Sequence, residues 1–258
     1  MVDIKEINFN EKKIIIADVD ETICETTQLV TAEMAGMIDS LILRGFVFAF
    51  ISGTKEKYLT EMLSNQLKQK HYLLPCTGMQ CIEVSGRISN EEELKKTVVY
   101  NNKLGLEERT EIMEALEKLV NHFQIVSLTT KEDQIQDRES QITLSPIGRS
   151  APIELKKVLD PDGEKRKVWV EFLKTLLDFE KYDVNIAGTT SIDITRKCQD
   201  KAWGIKEFCK QYEFKLSEVF FIGDKTQPGG NDYPATKIVD FATVKNPEDS
   251  LRKLKEFF

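Results

Sequence analysis

Residues 219–232 read VFFIGDKTQPGGND, an apolar run that ends abruptly in charged residues and glycines. The run VFFI has the composition of a strand that is buried on both faces. Asp224 and Asp232 fall in the segment that follows it. Because open α/β sheets bind ligands in the crevice beyond the carboxyl ends of their strands, this stretch predicts a sheet strand followed by a ligand-binding loop.

Both ends of the chain repeat this alternation of strand and helix. Residues 12–18 (KKIIIAD) and 45–52 (GFVFAFIS) predict two further buried strands, and residues 31–45 predict a helix between them that begins at a Thr31 cap. Residues 200–212 (DKAWGIKEFCKQY) predict a helix before the strand of the opening stretch. We therefore predict an α/β fold class with a parallel sheet built from both chain ends.

The middle of the chain has a different pattern, in which strands and helices lack strict β-α-β order. Residues 80–89 (QCIEVSGRIS) indicate a hairpin, and residues 106–123 indicate an amphipathic helix. We expect an inserted α+β cap domain over residues 79–187. The core domain would then consist of residues 1–78 and 188–258.

The composition limits the classes of partner. The 36 Lys and Arg residues stand against 43 Asp and Glu residues, a formal net charge of −7. Neither nucleic acid nor an anionic membrane is therefore expected as the main partner. The five cysteines form no C-x-x-C pair, which argues against a zinc knuckle or a disulfide framework. The polar N-terminus and the lack of an apolar run of about 18 residues predict a cytoplasmic protein.

Acidic and hydroxyl side chains follow three of the predicted strands. Asp18 and Asp20 follow the first strand, Ser52 follows the second, and Asp224 follows the strand of the opening stretch. A pair of carboxylates allows one group to attack as a nucleophile while the other transfers a proton. Several carboxylates in one crevice repel each other unless a hard cation is bound. Oxygen ligands without nearby His or Cys indicate Mg²⁺.

Four short motifs occur in an order that resembles the haloacid dehalogenase superfamily of phosphotransferases. The motifs are DVDET, FISGT, the lysine of QDKAWG, and IGDKTQPGGND. The resemblance implies that Asp18 is the nucleophile that forms an aspartyl phosphate and that Asp20 is the general acid/base. It also implies that Ser52 binds the transferring phosphoryl group and that Lys201 neutralises its charge. Phosphoryl transfer depends mainly on such positioning and charge neutralisation.

The same resemblance implies a magnesium site and a Rossmann-like core. Asp224 would hold Mg²⁺ together with Asp18 and the backbone carbonyl of Asp20, and Asp232 would support the metal. The core would contain the parallel sheet, and the insertion would be a cap of type IIB.

Denser matches from about Arg138 to the C-terminus resemble the eukaryotic-type phosphomannomutases. The matching segments are SPIGRS, SID, QDKAWGI and GDKTQPGGND. The resemblance implies that the cap arginines Arg138 and Arg149 grip the phosphate that is not transferred, since a guanidinium pairs with phosphate oxygens through two bonds. Ser191 and Asp193 would contact the sugar or its distal phosphate.

Three positions depart from the phosphomannomutase pattern. Glu21 stands where that family has glycine, and the DVDET form occurs in phosphatases of the same superfamily. Thr27 stands where the family has an arginine. Lys156 falls on a third cap arginine and keeps the charge without the planar fork. The resemblance implies interconversion of mannose 1-phosphate and mannose 6-phosphate, with a sugar-phosphate phosphatase as the alternative.

Three other classes fit the residues less well. The sequence has no G-x-x-x-x-G-K-[ST] motif of a P-loop enzyme. The large insertion between Ser52 and Lys201 disfavours a receiver-type signalling domain. A sugar-phosphate-binding protein without turnover would be expected to lack Asp18 or Asp20. A small phosphorylated sugar is the expected partner, and a homodimer remains open.

Overall fold

The computed structural model describes residues 11–86 and 94–258 of the chain. Its strands are β1 (Ile14–Ala17), β2 (Val47–Ile51), β3 (His71–Leu74), β4 (Gln80–Val84), β5 (Lys96–Asn101), β6 (Ile135–Asp137), β7 (Ile142–Leu144), β8 (Tyr182–Ala187), β9 (Ser191–Arg196), β10 (Val219–Gly223) and β11 (Asp240–Thr243). Its helices are α1 (Ala32–Leu43), α2 (Glu56–Leu59), α3 (Pro75–Gly78), α4 (Leu106–His122), α5 (Lys131–Gln134), α6 (Ile153–Leu159), α7 (Glu164–Leu173), α8 (Lys201–Gln211) and α9 (Pro247–Leu254). None of these described helices is long and apolar enough to cross a membrane.

The first of two compact units contains a sheet with the strand order β11-β10-β1-β2-β3-β4-β5. The strands from β11 to β3 pair in parallel, and β4 and β5 continue the sheet in antiparallel fashion. All residues of Ile14–Ala17 are fully buried, as expected for a central strand covered on both faces. This sheet confirms the predicted α/β class.

Local sequence explains where α1 begins but not where the next helix ends. Thr31 Oγ1 accepts a hydrogen bond from Met34 N at 3.2 Å, which confirms the expected cap. The sequence of residues 55–69 (KEKYLTEMLSNQLKQ) predicts a second helix, but the helix is shorter, because α2 passes into a π-helical turn that ends at Ser64. The backbone N–H groups of residues 68 and 69 instead donate to the carboxylate of Asp39 in α1. A contact between distant segments therefore ends this helix.

The second unit contains an antiparallel sheet with the order β6-β7-β9-β8. Its apolar face includes Ile142 and Ile194, which belong to a buried cluster with residues of α4 and α7. On the opposite face of this sheet, Gln136 of β6, Thr143 of β7 and Asp193 of β9 lie in register. The unit is therefore an α+β layer whose second face is polar.

The unit boundaries differ from the expected boundaries at residues 79 and 187. The first unit comprises the described residues of Met1–Asn101 and Asp200–Phe258, and the second comprises Asn102–Gln199. The reason is strand pairing, since β4 and β5 extend the first sheet whereas β9 pairs with β7 in the second. The second strand of the hairpin expected over residues 80–89 falls on residues 87–89, which lie outside the described part.

Candidate active site

The carboxyl ends of three parallel strands bring the predicted core residues to one edge of the first sheet. Asp18 follows β1, Ser52 follows β2 and Asp224 follows β10. The strand β1 pairs with both β2 and β10, and Asp18 N donates to Ile222 O at 2.9 Å. This is the edge where α/β sheets bind their ligands.

A buried lysine bridges two carboxylates at this edge. Lys201 is the first residue of α8 and is fully buried. Its Nζ lies 2.5 Å from Asp18 Oδ1 and 2.5 Å from Asp232 Oδ1. Asp200 caps the helix by accepting a hydrogen bond from Trp203 N at 3.0 Å. The start of α8 therefore fixes the position of the ammonium group.

The start of α8 packs against a left-handed turn that follows β3. Cys76 and Thr77 in this turn have φ angles of 51° and 57°, and Thr77 N donates to Ser52 O at 2.8 Å. A Cβ on Gly204 would lie 2.3 Å from Thr77 O, so only glycine allows this approach. The contact ties the helix of Lys201 to the loop that contains Ser52.

The buried charges of this cluster do not balance. Burial raises the pKa of Asp18 to about 7 against the lowering effect of Lys201, and Asp232 raises it further. Burial lowers the pKa of Lys201, but attraction by Asp18 and Asp232 outweighs burial and leaves this pKa above its ordinary value. The lysine is therefore charged, and the carboxylates around it carry more negative charge than it neutralises.

Three carboxylates form a group that fits a divalent cation. One oxygen from each of Asp18, Asp224 and Asp232 lies within 4.8 Å of the others. Asp224 Oδ2 accepts a hydrogen bond from Lys225 Nζ at 2.8 Å, whereas its buried Oδ1 has no hydrogen-bond partner among the described residues. A buried carboxylate oxygen without a donor is unfavourable unless it binds a cation. The donor set consists of hard oxygen ligands, which suits Mg²⁺.

Asp232 differs from the other two carboxylates because both of its oxygens already accept hydrogen bonds. Oδ1 accepts from Lys201, and Oδ2 accepts from Lys225 N at 3.0 Å. A Cβ on Gly223 would lie 2.5 Å from Asp232 Oδ2, so glycine is required beside it. This arrangement favours the supporting role that the resemblance implies for Asp232.

Asp20 and the β2 loop complete the core part of the site. Asp20 Oδ1 accepts a weak hydrogen bond from Thr27 N at 3.4 Å. Ser52 Oγ accepts from Thr54 N at 3.2 Å. The buried Thr54 Oγ1 has no hydrogen-bond partner within residues 11–86 and 94–258. The loop therefore offers a hydroxyl to which the sequence assigned no separate role.

In the second unit, Arg138 and Asp193 lie in a polar network of the antiparallel sheet. Asp193 Oδ1 accepts from Thr143 Oγ1 at 2.8 Å. Burial raises the pKa of Asp193, against the lowering effect of Arg138. A guanidinium nitrogen of Arg138 donates to Gln136 Oε1 at 3.0 Å. Arg138 is thus buried, with the neutral Gln136 amide as a hydrogen-bond partner and the Asp193 carboxylate near enough to be influenced by its charge.

Neutral residues of this network were not predicted as part of a site. Gln136 Nε2 donates to Ser145 Oγ at 3.1 Å, and Ser145 Oγ lies 3.3 Å from the hydroxyl of the predicted Ser191. The alternation QITLS over residues 141–145 was the available signal, because successive side chains of a strand point to opposite faces.

Arg149 lies on the loop after β7, and Lys156 lies on α6. Lys156 Nζ donates to Arg149 O, and Arg149 N donates to Asp133 O at 3.0 Å. Gly148 has a φ of 99° and passes so close to Thr129 that a Cβ would overlap its hydroxyl. Burial lowers the pKa of Lys156, and the charge of Arg149 lowers it further. Lys156 of α6 is thus held near Arg149, which lies on a tightly packed loop.

Comparison with known proteins identifies the family. The eukaryotic phosphomannomutase family matches residues 44–258. The phosphomannomutase of Encephalitozoon cuniculi is 28% identical over 254 residues, which cover 96% of this chain and 94% of that protein. The phosphomannomutase of Saccharomyces cerevisiae is 24% identical over 267 residues, which cover 99% of this chain and 98% of that protein.

Solved structures show the same fold at lower identity. An IMP-bound IMP-nucleotidase of Plasmodium falciparum has a TM-score of 0.67 at 19% identity, with 96% of this chain and 68% of that chain covered. A haloacid dehalogenase-like hydrolase from Bacteroides thetaiotaomicron has a TM-score of 0.62 at 16% identity, with 96% and 100% covered. The family match over most of the sequence shows that this chain belongs to the eukaryotic phosphomannomutase family and is an enzyme of the haloacid dehalogenase phosphotransferase type.

Proposed function

We propose that this enzyme interconverts mannose 1-phosphate and mannose 6-phosphate through an aspartyl phosphate on Asp18, with Mg²⁺ as cofactor. The observation that carries the proposal is the buried contact of Lys201 with Asp18 and Asp232, beside the unpartnered oxygen of Asp224. In a member of the phosphomannomutase family, this cluster has the charges that phosphoryl transfer needs.

In the forward step, an oxygen of Asp18 forms a bond to phosphorus while the bond from phosphorus to the sugar oxygen breaks. The electron pair stays on the sugar oxygen, which takes a proton from Asp20. In the return step, Asp20 takes the proton of the acceptor hydroxyl, whose oxygen attacks phosphorus and releases Asp18. Ser52, Thr54 and Lys201 hold the phosphoryl oxygens during both steps.

The metal site would consist of Asp18, Asp224 and the backbone carbonyl of Asp20, with Asp232 in support. When bound, Mg²⁺ supplies positive charge beside the transferring phosphoryl group and reduces repulsion between the carboxylates. The pKa of Asp18 supports this assignment: burial raises it, Lys201 offsets only part of that effect, and Asp232 and Asp224 raise it further, so a bound cation would favour the ionised carboxylate.

The second unit would bind the part of the substrate that does not react. Arg138 and Arg149 would hold the distal phosphate, and Ser191 and Asp193 would hydrogen-bond the sugar. Lys156 lies against the backbone of Arg149 and would add charge without a bidentate fork. A cytoplasmic location and a homodimer remain proposals, which cell fractionation and size-exclusion chromatography would test.

A sugar-phosphate phosphatase is the second candidate, and Glu21 and Thr27 favour it because they depart from the mutase pattern. In that case water replaces the sugar hydroxyl as the acceptor. One assay separates the two: mannose 1-phosphate is supplied with a hexose bisphosphate activator, and mannose 6-phosphate and free phosphate are measured together. We expect isomerisation with some phosphate release, and Lys156→Arg should shift the ratio toward isomerisation. Phosphate release without any isomer, even in Lys156→Arg, would replace the mutase with the phosphatase.

A further inference from the structure

The loop after β1 contains a residue in a backbone conformation that is unusual for its type. Glu21 has a φ of 59°, in the left-handed region that glycine adopts freely and other residues rarely occupy. Its backbone N–H donates to Cys24 O at 2.8 Å, which closes a tight turn directly after Asp20. Such a conformation persists only when surrounding contacts hold it.

The Glu21 side chain supplies those contacts. Its Oε1 accepts hydrogen bonds from Thr26 Oγ1 at 2.7 Å and from Thr26 N at 3.0 Å. Hydrogen bonds to an ionised carboxylate are stronger than those between neutral groups. The carboxylate therefore links Glu21, near the start of the loop, to Thr26.

The residue that follows Thr26 contacts the Asp20 carboxylate. Thr27, the residue after Thr26, also has a positive φ, of 63°, and its N–H donates to Asp20 Oδ1 at 3.4 Å. The direction of this N–H depends on the backbone at Thr26, which Glu21 holds. The contacts thus run from Glu21 through Thr26 to the amide beside Asp20.

We propose that Glu21 is a positioning residue that orients the Asp20 carboxylate for proton transfer. The proposal rests on the proposed function, in which Asp20 is the general acid/base. Glu21 acts through the Thr26–Thr27 backbone and does not touch the reacting atoms. It aims the Asp20 carboxyl at the oxygen that leaves or attacks.

The leaving group distinguishes this role from a purely structural one. The oxygen of a hexose phosphate leaves poorly unless Asp20 protonates it as its bond to phosphorus breaks. The nitrophenolate oxygen of p-nitrophenyl phosphate is a stable anion and leaves without a proton. Loss of the hydrogen bonds between Glu21 and Thr26 should therefore slow the first step with the hexose phosphate and leave the first step with the aryl phosphate unchanged.

The test compares Glu21→Ala with Asp20→Asn, and Glu25→Ala on the same exposed loop serves as the matched control. Turnover of mannose 1-phosphate is measured beside the pre-steady-state burst of p-nitrophenolate, and thermal unfolding is used to check the fold. Glu21→Ala should lower kcat for the hexose phosphate by about tenfold to a hundredfold. It should change the burst rate by less than about twofold, in the pattern of Asp20→Asn.

Two further variants test the same role of Glu21 if Glu21→Ala folds poorly. Glu21→Gln retains the accepting oxygen and should keep most of the activity, while Thr26→Val removes one donor and should give the same selective loss at smaller size. Equal losses on both substrates, or no loss on either, overturn the role of Glu21 when Asp20→Asn remains selective. If Asp20→Asn itself shows no dependence on the leaving group, the general acid assignment fails, and the Glu21 proposal fails with it.

Discussion

Lys201 in the first unit and Arg138 in the second are both buried cations, but their partners differ. Lys201 Nζ lies 2.5 Å from carboxylate oxygens of Asp18 and Asp232. Arg138 instead donates to the neutral amide oxygen of Gln136 at 3.0 Å. The first unit thus places its cation in direct contact with two carboxylates, whereas the cation of the second unit has a neutral amide as a hydrogen-bond partner and the Asp193 carboxylate nearby.

This difference separates two kinds of chemistry. Uncompensated carboxylates at strand ends need a cation to lie together, which fits metal-dependent phosphoryl transfer in the first unit. A guanidinium that donates to a neutral amide keeps more of its positive charge available for an anionic ligand than a lysine between two carboxylates does, which fits phosphate binding in the second unit. Removal of each charge should therefore impair a different property of the enzyme.

The largest expected effect is that of Asp18→Asn. An amide cannot form the aspartyl phosphate, so turnover of hexose phosphates should fall by at least about a thousandfold. The change is nearly isosteric and removes one buried negative charge, so the melting temperature should stay the same or rise. Steady-state kinetics and thermal unfolding measure both effects, and Asp162→Asn on the surface of the second unit is the control. Turnover within about tenfold of wild type would contradict the role of Asp18.

Removal of divalent cations should abolish turnover, and added Mg²⁺ should restore it. Asp224→Ala should weaken Mg²⁺ binding by about tenfold or more, since it removes a carboxylate ligand. Calorimetric titration with Mg²⁺ measures this independently of activity. Arg149→Ala is the control from the second unit and should bind Mg²⁺ as the wild type does. Full turnover in a metal-free preparation would show that the acidic cluster has another purpose.

The two buried cations should also differ in their contribution to stability. Lys201→Met leaves two buried carboxylates without their cation, which should lower the free energy of unfolding by about 3–5 kcal/mol. Arg138→Met removes a hydrogen bond to Gln136 and a cation near the Asp193 carboxylate but breaks no bridge between two carboxylates, so it should lower this free energy by about 1–3 kcal/mol. Urea unfolding of both variants in metal-free buffer measures the difference. Equal losses would remove the distinction between the two environments.

His71 tests whether burial in the first unit affects stability where no excess charge is present. It is fully buried, its Nε2 lies 2.7 Å from Ser64 Oγ, and burial lowers its pKa to about 4 from 6.5. The unfolded chain therefore binds this proton first as the pH falls. The contribution of His71 to stability should be complete above pH 6.5 and should decline between pH 6.5 and about 4, by about 3 kcal/mol.

Urea unfolding at pH 7.5 and pH 5 checks this window. His71→Gln should lose less stability on acidification than the wild type, because glutamine at position 71 does not titrate between pH 7.5 and pH 5. The exposed His122, changed to Gln, is the matched control and should keep the acid sensitivity of the wild type. An unchanged acid response in His71→Gln would assign the loss to other groups.

The smallest expected effect is that of Arg149→Ala. Loss of one charged contact to the distal phosphate should raise KM for hexose phosphates by about tenfold to a hundredfold, or about 1.5–3 kcal/mol. Hydrolysis of p-nitrophenyl phosphate should hardly change, because this substrate has no second anionic group. Steady-state kinetics on both substrates give the answer. Equal losses would place Arg149 in the transfer reaction itself.

Local pattern was enough to predict the sheet and the residues that follow its strands. Apolar runs of four or five residues mark buried strands, and parallel strands end at the same edge, so Asp18, Ser52 and Asp224 could be grouped from the sequence. The Thr31 cap was also readable, because a helix start depends on neighbouring residues. The shortened helix after Lys55 was not, since Asp39 ends it from another segment.

The sequence by itself determined which chemical groups are present, the α/β class and the carboxyl edge where acids and hydroxyls collect. Only the tertiary structure decided which of those groups are buried and which of them contact each other. Lys201 and Asp18 are 183 residues apart in the chain, yet their contact depends on the close packing of Gly204 against Thr77. The unpartnered oxygen of Asp224 and the polar face around Arg138 depend in the same way on distant partners. Burial and pairing arise from long-range contacts, which periodicity along the chain does not encode.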